Sequence, residues 1–165
     1  MAASRYVIAL GSNRRGRHGG PEREIAAALA AIGGVCAVSP VIGTAPLGPS
    51  KRRFANAAAV IETNEQPPAL LARLKTIERA FGRRRGRNWA ARVIDLDILL
   101  WSGGTWSSPG LTVPHVQFRT RRFVLDPLVR IAPDWRDPLT NLSVRQLRTR
   151  LTRPVLALRC AHVGP

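Results

Sequence analysis

Between Arg92 and Leu100 the chain reads Arg-Val-Ile-Asp-Leu-Asp-Ile-Leu-Leu. Successive side chains of an extended strand alternate faces, so Ile94, Leu96, Ile98 and Leu100 line one apolar face. Asp95 and Asp97 then share the other, about 7 Å apart. Two of the five aspartates stand here, in a type of element where carboxylates are depleted and costly to bury unpaired. Two hard oxygen donors aimed at one spot suit a Mg²⁺ ion shared with phosphates. Arg83-Arg84-Arg85-Gly86-Arg87 and Arg92 supply guanidiniums for such an anion. A surface strand with two solvated acids is the competing reading, because an Asp-x-Asp pair alone is a weak signal.

A length of 165 residues with 45% apolar content predicts one globular domain over 1–165 with a proper core. No apolar run approaches the ~20 residues of a membrane span, and the run before Leu10 is too short for a signal peptide. A cytoplasmic protein is expected. Cys36 and Cys160 have no metal spacing and are expected to be free thiols, with a pairing between them left open. The formal charge is +16, and Lys51 and Lys75 are the only lysines among 26 basic residues. Nucleic acid, a polyphosphate substrate and an arginine-biased composition each explain that charge. The arginines run the whole length, so only the cluster from Arg83 to Arg92 is local enough to argue from.

Tyr6 to Leu10 reads as a buried strand ending at Gly11-Ser12-Asn13, a turn that is either a strand end or an anion-binding set of N–H groups. Arg14 to Gly20 reads as a mobile basic loop. Pro21 opens a helix with Glu22 and Glu24 in its first turn and Gly33-Gly34 at its end. Val35 to Val41 reads as a second strand. Gly43 and Gly48 have P-loop spacing, but Pro49-Ser50 occupies the Lys-Ser/Thr position and the motif is rejected. Phe54 to Glu62 reads as a third strand, with Phe54 and Asn56 on one face, able to stack on and bond a heterocycle or simply to join the core. Pro67 starts a second helix with Leu70, Leu71, Leu74, Ile77 and Phe81 as its buried stripe and Lys75, Glu78 and Arg79 off it. Trp89, in the basic loop, is either a lid over a ligand or a residue tucked onto the body. His115 follows Leu111-Thr112-Val113-Pro114 and stands near Arg119, Arg121 and Arg122. Val144 to Leu151 reads as a short basic amphipathic helix, and residues 154–165 as a tail. The order strand, helix, strand, strand, helix, strand is the ferredoxin-like βαββαβ pattern, an α+β fold with its helices on one face of an antiparallel sheet.

The chain resembles the 6-hydroxymethyl-7,8-dihydropterin pyrophosphokinase family. The residues that carry the likeness are Ala9 to Asn13, Thr44 to Pro49 leading to Phe54-Ala55-Asn56-Ala57, Arg92 to Leu99, Leu111 to His115, and Arg121 to Leu125, in family order across residues 6–135. The resemblance implies a ferredoxin-like monomer that transfers the terminal two phosphates of ATP to the substrate hydroxymethyl group and releases AMP. Asp95 and Asp97 are then expected to hold two Mg²⁺ ions, with Arg83 and Arg92 stabilising charge on the transferring group. Phe54 and Phe123 are expected to sandwich the pterin, with Asn56, Thr44 and Leu47 bonding its polar edge. Glu78, Ile98 and Thr112 match nucleotide-pocket positions, Arg85, His115 and Arg121 match phosphate contacts, and Trp89 matches the lid. Departures lie around this set. Ala90-Ala91 replaces Gly-Pro, Val116-Gln117 replaces Pro-Arg, Arg14-Arg15-Gly16 replaces Leu-Gly-Asp, and Ser50 to Arg53 replaces a loop with Asp-Gln-Pro. They leave a second expectation, a diverged paralogue that binds nucleotide or pterin with little turnover. A basic nucleic-acid-binding module on the same sheet is the third. Aromatic residues at only 5% and the lack of an RNP1-like run weigh against it. The expected partners are small molecules, with neither membrane nor nucleic acid.

Overall fold

In the computed structural model, which describes residues 3–45, 53–82 and 92–153, alternation along three strands decides the layering. In chain order the elements are β1 (Ser4–Ser12), α1 (Pro21–Ile32), β2 (Val35–Val38), β3 (Ile42–Thr44), β4 (Phe54–Thr63), α2 (Pro67–Ala80) and β5 (Asp95–Trp101). Then come β6 (Trp106–Ser108), β7 (Leu111–Val113), a 3-10 turn (Phe118–Thr120), α3 (Arg122–Ile131) and α4 (Val144–Thr152). β1 lies between β4 and β5, antiparallel to both, and β2 and β3 both pair with the far side of β4.

Tyr6, Ile8 and Leu10 of β1 and Ala55, Ala57, Ala59 and Ile61 of β4 face one way. With Ile94, Leu96 and Ile98 they pack against Ile25, Ala28 and Ile32 of α1 and Leu70 and Leu74 of α2. The intervening Val7, Ala58 and Val60 face the other way, onto Phe118, Val124, Leu125, Leu128, Val144 and Leu147. The ferredoxin-like βαββαβ unit therefore has both its helices on one face, as the pattern predicts, and the C-terminal additions cover the other. Covering both faces explains why these strands are apolar at nearly every position.

Four local features depart from the sequence reading. The strand expected over Val35 to Val41 stops at Val38, and a separate short strand, β3, begins at Ile42, beyond the expected span. Pro40 has no N–H to pair, and the Ser39 hydroxyl accepts the Ala58 N–H at 2.9 Å in place of a backbone carbonyl. In β5 the register passes from Val7 opposite Leu100 to Ile8 opposite Ile98, leaving Leu99 over. This bulge turns Leu99 and Leu100 both into the second core, so Leu100 does not share the face of Ile94, Leu96 and Ile98 as strict alternation predicts. α3 continues through Pro127, although proline removes one helical hydrogen bond, because Val124, Leu125 and Leu128 bury one continuous stripe. The Arg14 to Gly20 loop is pinned rather than mobile. The fully buried Glu24 accepts the His18 N–H at 2.7 Å and the Gly19 N–H at 3.1 Å, and its other oxygen meets His18 Nδ1 at 2.8 Å. Within the loop Gly16 and Gly19 bond each other's backbone, and a Cβ at Gly16 would lie 2.5 Å from Val93 Cγ1.

The C-terminal layer is tied by Asp137, which is fully buried. Arg119 donates to both its oxygens at 2.7 and 2.6 Å, and Thr140 Oγ1 and the Leu139 N–H add two bonds. Burial alone would raise this carboxyl; the bonds from Arg119, Thr140 and Leu139 and the Arg119 charge outweigh it and hold the pKa below its ordinary 3.8. A depressed folded-state pKa stabilises the fold above the unfolded value, and that contribution is lost as pH falls through the folded one. Asp137→Ala is therefore expected to cost about 2–4 kcal/mol at pH 7, as for a broken, hydrogen-bonded buried charge pair. In urea melts the gap to the parent protein should narrow once pH drops below 3.8. A gap independent of pH would contradict the clamp.

Candidate active site

The cavity is built where three strand ends meet the edge of the C-terminal layer. On β4, β1 and β5 the positions that alternate away from α1 and α2 form two rows. Asn56 lies opposite Gly11 and Gly11 opposite Asp95; Ala58 lies opposite Ala9 and Ala9 opposite Asp97. The middle of each row is Gly or Ala, so a smooth floor two strand spacings wide, roughly 9–10 Å, separates the amide from the carboxylate. A Cβ on Gly11 would reach 3.4 Å from Asn56 Oδ1, which makes glycine the residue that keeps this floor low.

A cavity of about 400 Å³ stands on that floor. Thr44, Phe54 and Asn56 reach it from β3 and β4, Arg92, Asp95 and Asp97 from the start of β5, and His115, Arg121 and Phe123 from the segment between β7 and α3. Asn56 Nδ2 donates to Thr44 Oγ1 at 2.8 Å, which fixes the amide orientation. The Arg121 guanidinium lies 5.6 Å from the Phe123 ring centroid. His115 is held by its own N–H on the Leu99 carbonyl at 2.9 Å. Its Nδ1 accepts the Gln117 N–H at 3.2 Å, which assigns the ring proton to Nε2. Arg92 Nη1 pairs with Asp95 Oδ2 at 2.7 Å. Burial, and then the neighbouring Asp95 carboxylate, push the Asp97 carboxyl above its ordinary range against the pull of Lys75, His115 and Arg92. Such a pair gains from a divalent cation held between it and a polyanion. Among the described residues no third His, Cys, Asp or Glu completes a protein-only metal cluster.

The expected site residues sort plainly. Thr44, Phe54, Asn56, Arg92, Asp95, Asp97, His115, Arg121 and Phe123 come together on one cavity. Arg83, Arg85, Leu47 and Trp89 lie outside the described residues, as do Ala90, Ala91, Cys160 and the 154–165 tail. Glu78, Ile98 and Thr112 are described but do not line the cavity. The Ile98 side chain is in the first core, Thr112 is exposed on β7, and Glu78 is wholly buried on α2. Glu78 thus continues the Leu70–Leu74 stripe rather than lying off it. Of the three arginines near His115, only Arg121 reaches the cavity. Arg119 serves Asp137, and Arg122 pairs with Asp126 at 3.1 Å. Cys36 is a free, exposed thiol.

One positioning residue was visible only as part of a turn. Asn13 is buried, its Oδ1 accepts the Arg92 N–H at 2.7 Å, and its own N–H donates to the Arg92 carbonyl at 3.1 Å. This two-way bond pins Arg92 to the end of β1, beside Gly11. The signal was the Gly-Ser-Asn turn itself, whose asparagine has a partner 79 residues away.

A pocket that gathers carboxylates and guanidiniums together with aromatic rings and an amide suits a small planar molecule meeting a phosphate chain. The comparisons agree. The family model for 7,8-dihydro-6-hydroxymethylpterin-pyrophosphokinase matches residues 7–133. The 2-amino-4-hydroxy-6-hydroxymethyldihydropteridine pyrophosphokinase of Pseudomonas aeruginosa is 42% identical over 140 residues, 81% of this chain and 84% of that protein. The Haemophilus influenzae protein of the same name is 40% identical over 133 residues, 77% of this chain and 81% of its own length. In structure, the Plasmodium falciparum HPPK-DHPS chain superposes with a TM-score of 0.69 at 16% identity, over 90% of this chain. This chain spans only 42% of that one, and the likeness there is of fold. The chain belongs to the 7,8-dihydro-6-hydroxymethylpterin-pyrophosphokinase family.

Because Asn13 holds the Arg92 backbone, Asn13→Ala is expected to weaken binding of inorganic pyrophosphate about tenfold, the value of one to two hydrogen bonds. Isothermal titration in the presence of Mg²⁺ reads this. Unchanged affinity would show that Arg92 keeps its place without the asparagine.

Proposed function

We propose that this chain transfers pyrophosphate from ATP to the hydroxymethyl group of 6-hydroxymethyl-7,8-dihydropterin and releases AMP, a step in folate biosynthesis. The observation that supports it most is the row Asn56–Gly11–Asp95, which sets a heterocycle-binding amide and a carboxylate at opposite ends of one flat floor. Phe54 and Phe123 stand ready to stack on the pterin, and Asn56, oriented by Thr44, to bond its polar edge. With the ring placed there, its hydroxymethyl arm points along the floor toward Asp95 and Asp97.

Reaction consists of attack by the hydroxyl oxygen on the β-phosphorus. The bond from that phosphorus to the α–β bridging oxygen breaks, AMP leaves, and the hydroxyl proton is lost to solvent. Phosphoryl transfer asks the protein for position and charge more than covalent work. Asp95 and Asp97 fit Mg²⁺ by donor type, and two ions are proposed there; bound, they would neutralise phosphate charge and lower the pKa of the attacking hydroxyl. Arg92, held by Asn13 and Asp95, meets negative charge building on the transferring group. His115, with its proton on Nε2, and Arg121 supply further donors to the phosphates. Arg83, Arg85 and Trp89 are proposed from the resemblance for the charge and lid roles, Leu47 for the pterin edge, and Glu78, Ile98 and Thr112 for the nucleotide.

The test is AMP formation from ATP and Mg²⁺ with and without the dihydropterin. Pterin-dependent AMP is expected, and Asp97→Ala should lower its rate by at least about a hundredfold, as for loss of a main electrostatic group. Tight nucleotide binding without AMP would instead establish the non-catalytic paralogue.

A further inference from the structure

We infer that Lys75 and Glu78 act together as a side-chain substitute for a missing strand, fixing the peptide between the two site aspartates before any metal arrives. The inference rests on Asp95 and Asp97 being the metal ligands.

Among the described residues, β5 pairs with β1 on one side only. In an antiparallel pair, alternate residues turn their N–H and C=O toward the partner or away from it. Leu96 is of the second kind: opposite Leu10 in register, it presents both groups to the free edge. A strand edge left open is mobile and poorly defined. Here both groups are taken from α2. Glu78 Oε1 accepts the Leu96 N–H at 2.8 Å, Lys75 Nζ donates to the Leu96 carbonyl at 3.4 Å, and Lys75 and Glu78 are joined at 2.9 Å. One ion pair thus spans the donor and acceptor of a single residue, as a neighbouring strand would.

That residue is the one between Asp95 and Asp97. By the same alternation Asp95 and Asp97 turn their own peptides toward β1, where Gly11 and Ala9 face them. The Leu96 side chain is buried without exposure in the first core. The three residues are therefore held on the β1 side, below and on the edge side, and the two carboxylates project from a backbone with little freedom left. Glu78 is wholly buried, and its Oε1 serves both the Leu96 N–H and Lys75 Nζ. Lys75 and Glu78 are positioning residues acting through Leu96, in the manner of the outer partners that orient metal ligands.

A rival account of Lys75 makes the opposite prediction. If it acts only as a positive charge near Asp97, removing it should tighten divalent-cation binding. If it holds the strand edge, removing it should weaken binding. The experiment measures Mn²⁺ affinity by electron paramagnetic resonance with a non-hydrolysable ATP analogue, and Leu96 amide exchange by NMR in metal-free protein. Lys75→Met and Glu78→Gln are each expected to weaken Mn²⁺ about tenfold, the lower end for outer-shell partners of metal ligands. Leu96 exchange should quicken relative to the Ala9 and Gly11 amides, and Lys75→Arg should restore both readouts. Equal or tighter Mn²⁺ binding in Lys75→Met, or unaltered Leu96 exchange in both variants, overturns the inference. Asp97→Asn is the control on the underlying reading. If it leaves Mn²⁺ affinity intact, the ligand assignment fails and the clamp has no site to serve; if it abolishes binding while the other variants do nothing, the clamp alone fails.

Discussion

The register of β1 against its two neighbours governs the site. Side chains in a strand repeat every two residues, so a slip by one would exchange the two faces of the sheet. Asp95 and Asp97 would then enter the core under α1 and α2, and Leu96 and Ile98 would line the cavity. The register is held by buried apolar pairs: Leu10 against Leu96 and Ile8 against Ile98. Burying two carboxylates without partners would cost far more than the ~1–3 kcal/mol that one core side chain contributes. The catalytic face is thus specified largely by what the opposite face must bury. The bulge at Leu99 then resets the phase, so that one short strand serves a polar cavity at its start and a second core at its end.

Much of this was legible in the sequence, and the rest fails for identifiable reasons. The three long strands and the helices from Pro21, Pro67 and Val144 follow from periodicity, and the paired aspartates on one face follow from alternation alone. What local pattern could not reveal is where the pattern is broken by a distant partner. The Leu99 bulge depends on how β5 fits β1. The Ser39 pinch depends on a hydroxyl reaching Ala58. Glu78 reads as a polar residue off a helix stripe because its role is written in the Leu96 backbone, and Asn13 reads as a turn because its partner is the backbone of Arg92. Glu24 misled in the same way: a glutamate in a first helical turn suggests the dipole, yet it faces back and organises the preceding loop. At Ser39, Glu78 and Asn13 a polar side chain bonds a main-chain group far away in sequence, which no periodicity reports.

The large positive charge proved a poor guide for a related reason. The few acids are distributed one by one among the many arginines. Arg5 meets Glu62, Arg73 meets Glu65, Arg119 meets Asp137, and Arg122 and Arg148 share Asp126. These pairs tie parts of the fold to one another and say nothing of a ligand. On the sheet face away from α1 and α2, the part formed by Val7, Ala58 and Val60 is covered by α3 and α4. Locality, meaning the guanidiniums that converge on two carboxylates, carries the functional content that the net charge does not.

The pinch between β2 and β3 has a consequence for the protein's life in a crowded solution. A long outer strand presents a row of unpaired peptide groups on which a second chain can build. Many proteins blunt such a row with lysine, but between Gly33 and Ser50 this chain has no charge at all, and Val35, Val38 and Val41 are exposed there. Ser39 and Pro40 break the row into ladders of four and three residues, each too short to template an intermolecular sheet. One hydroxyl and one imino acid thus keep an uncharged, valine-rich border from becoming a seed for aggregation.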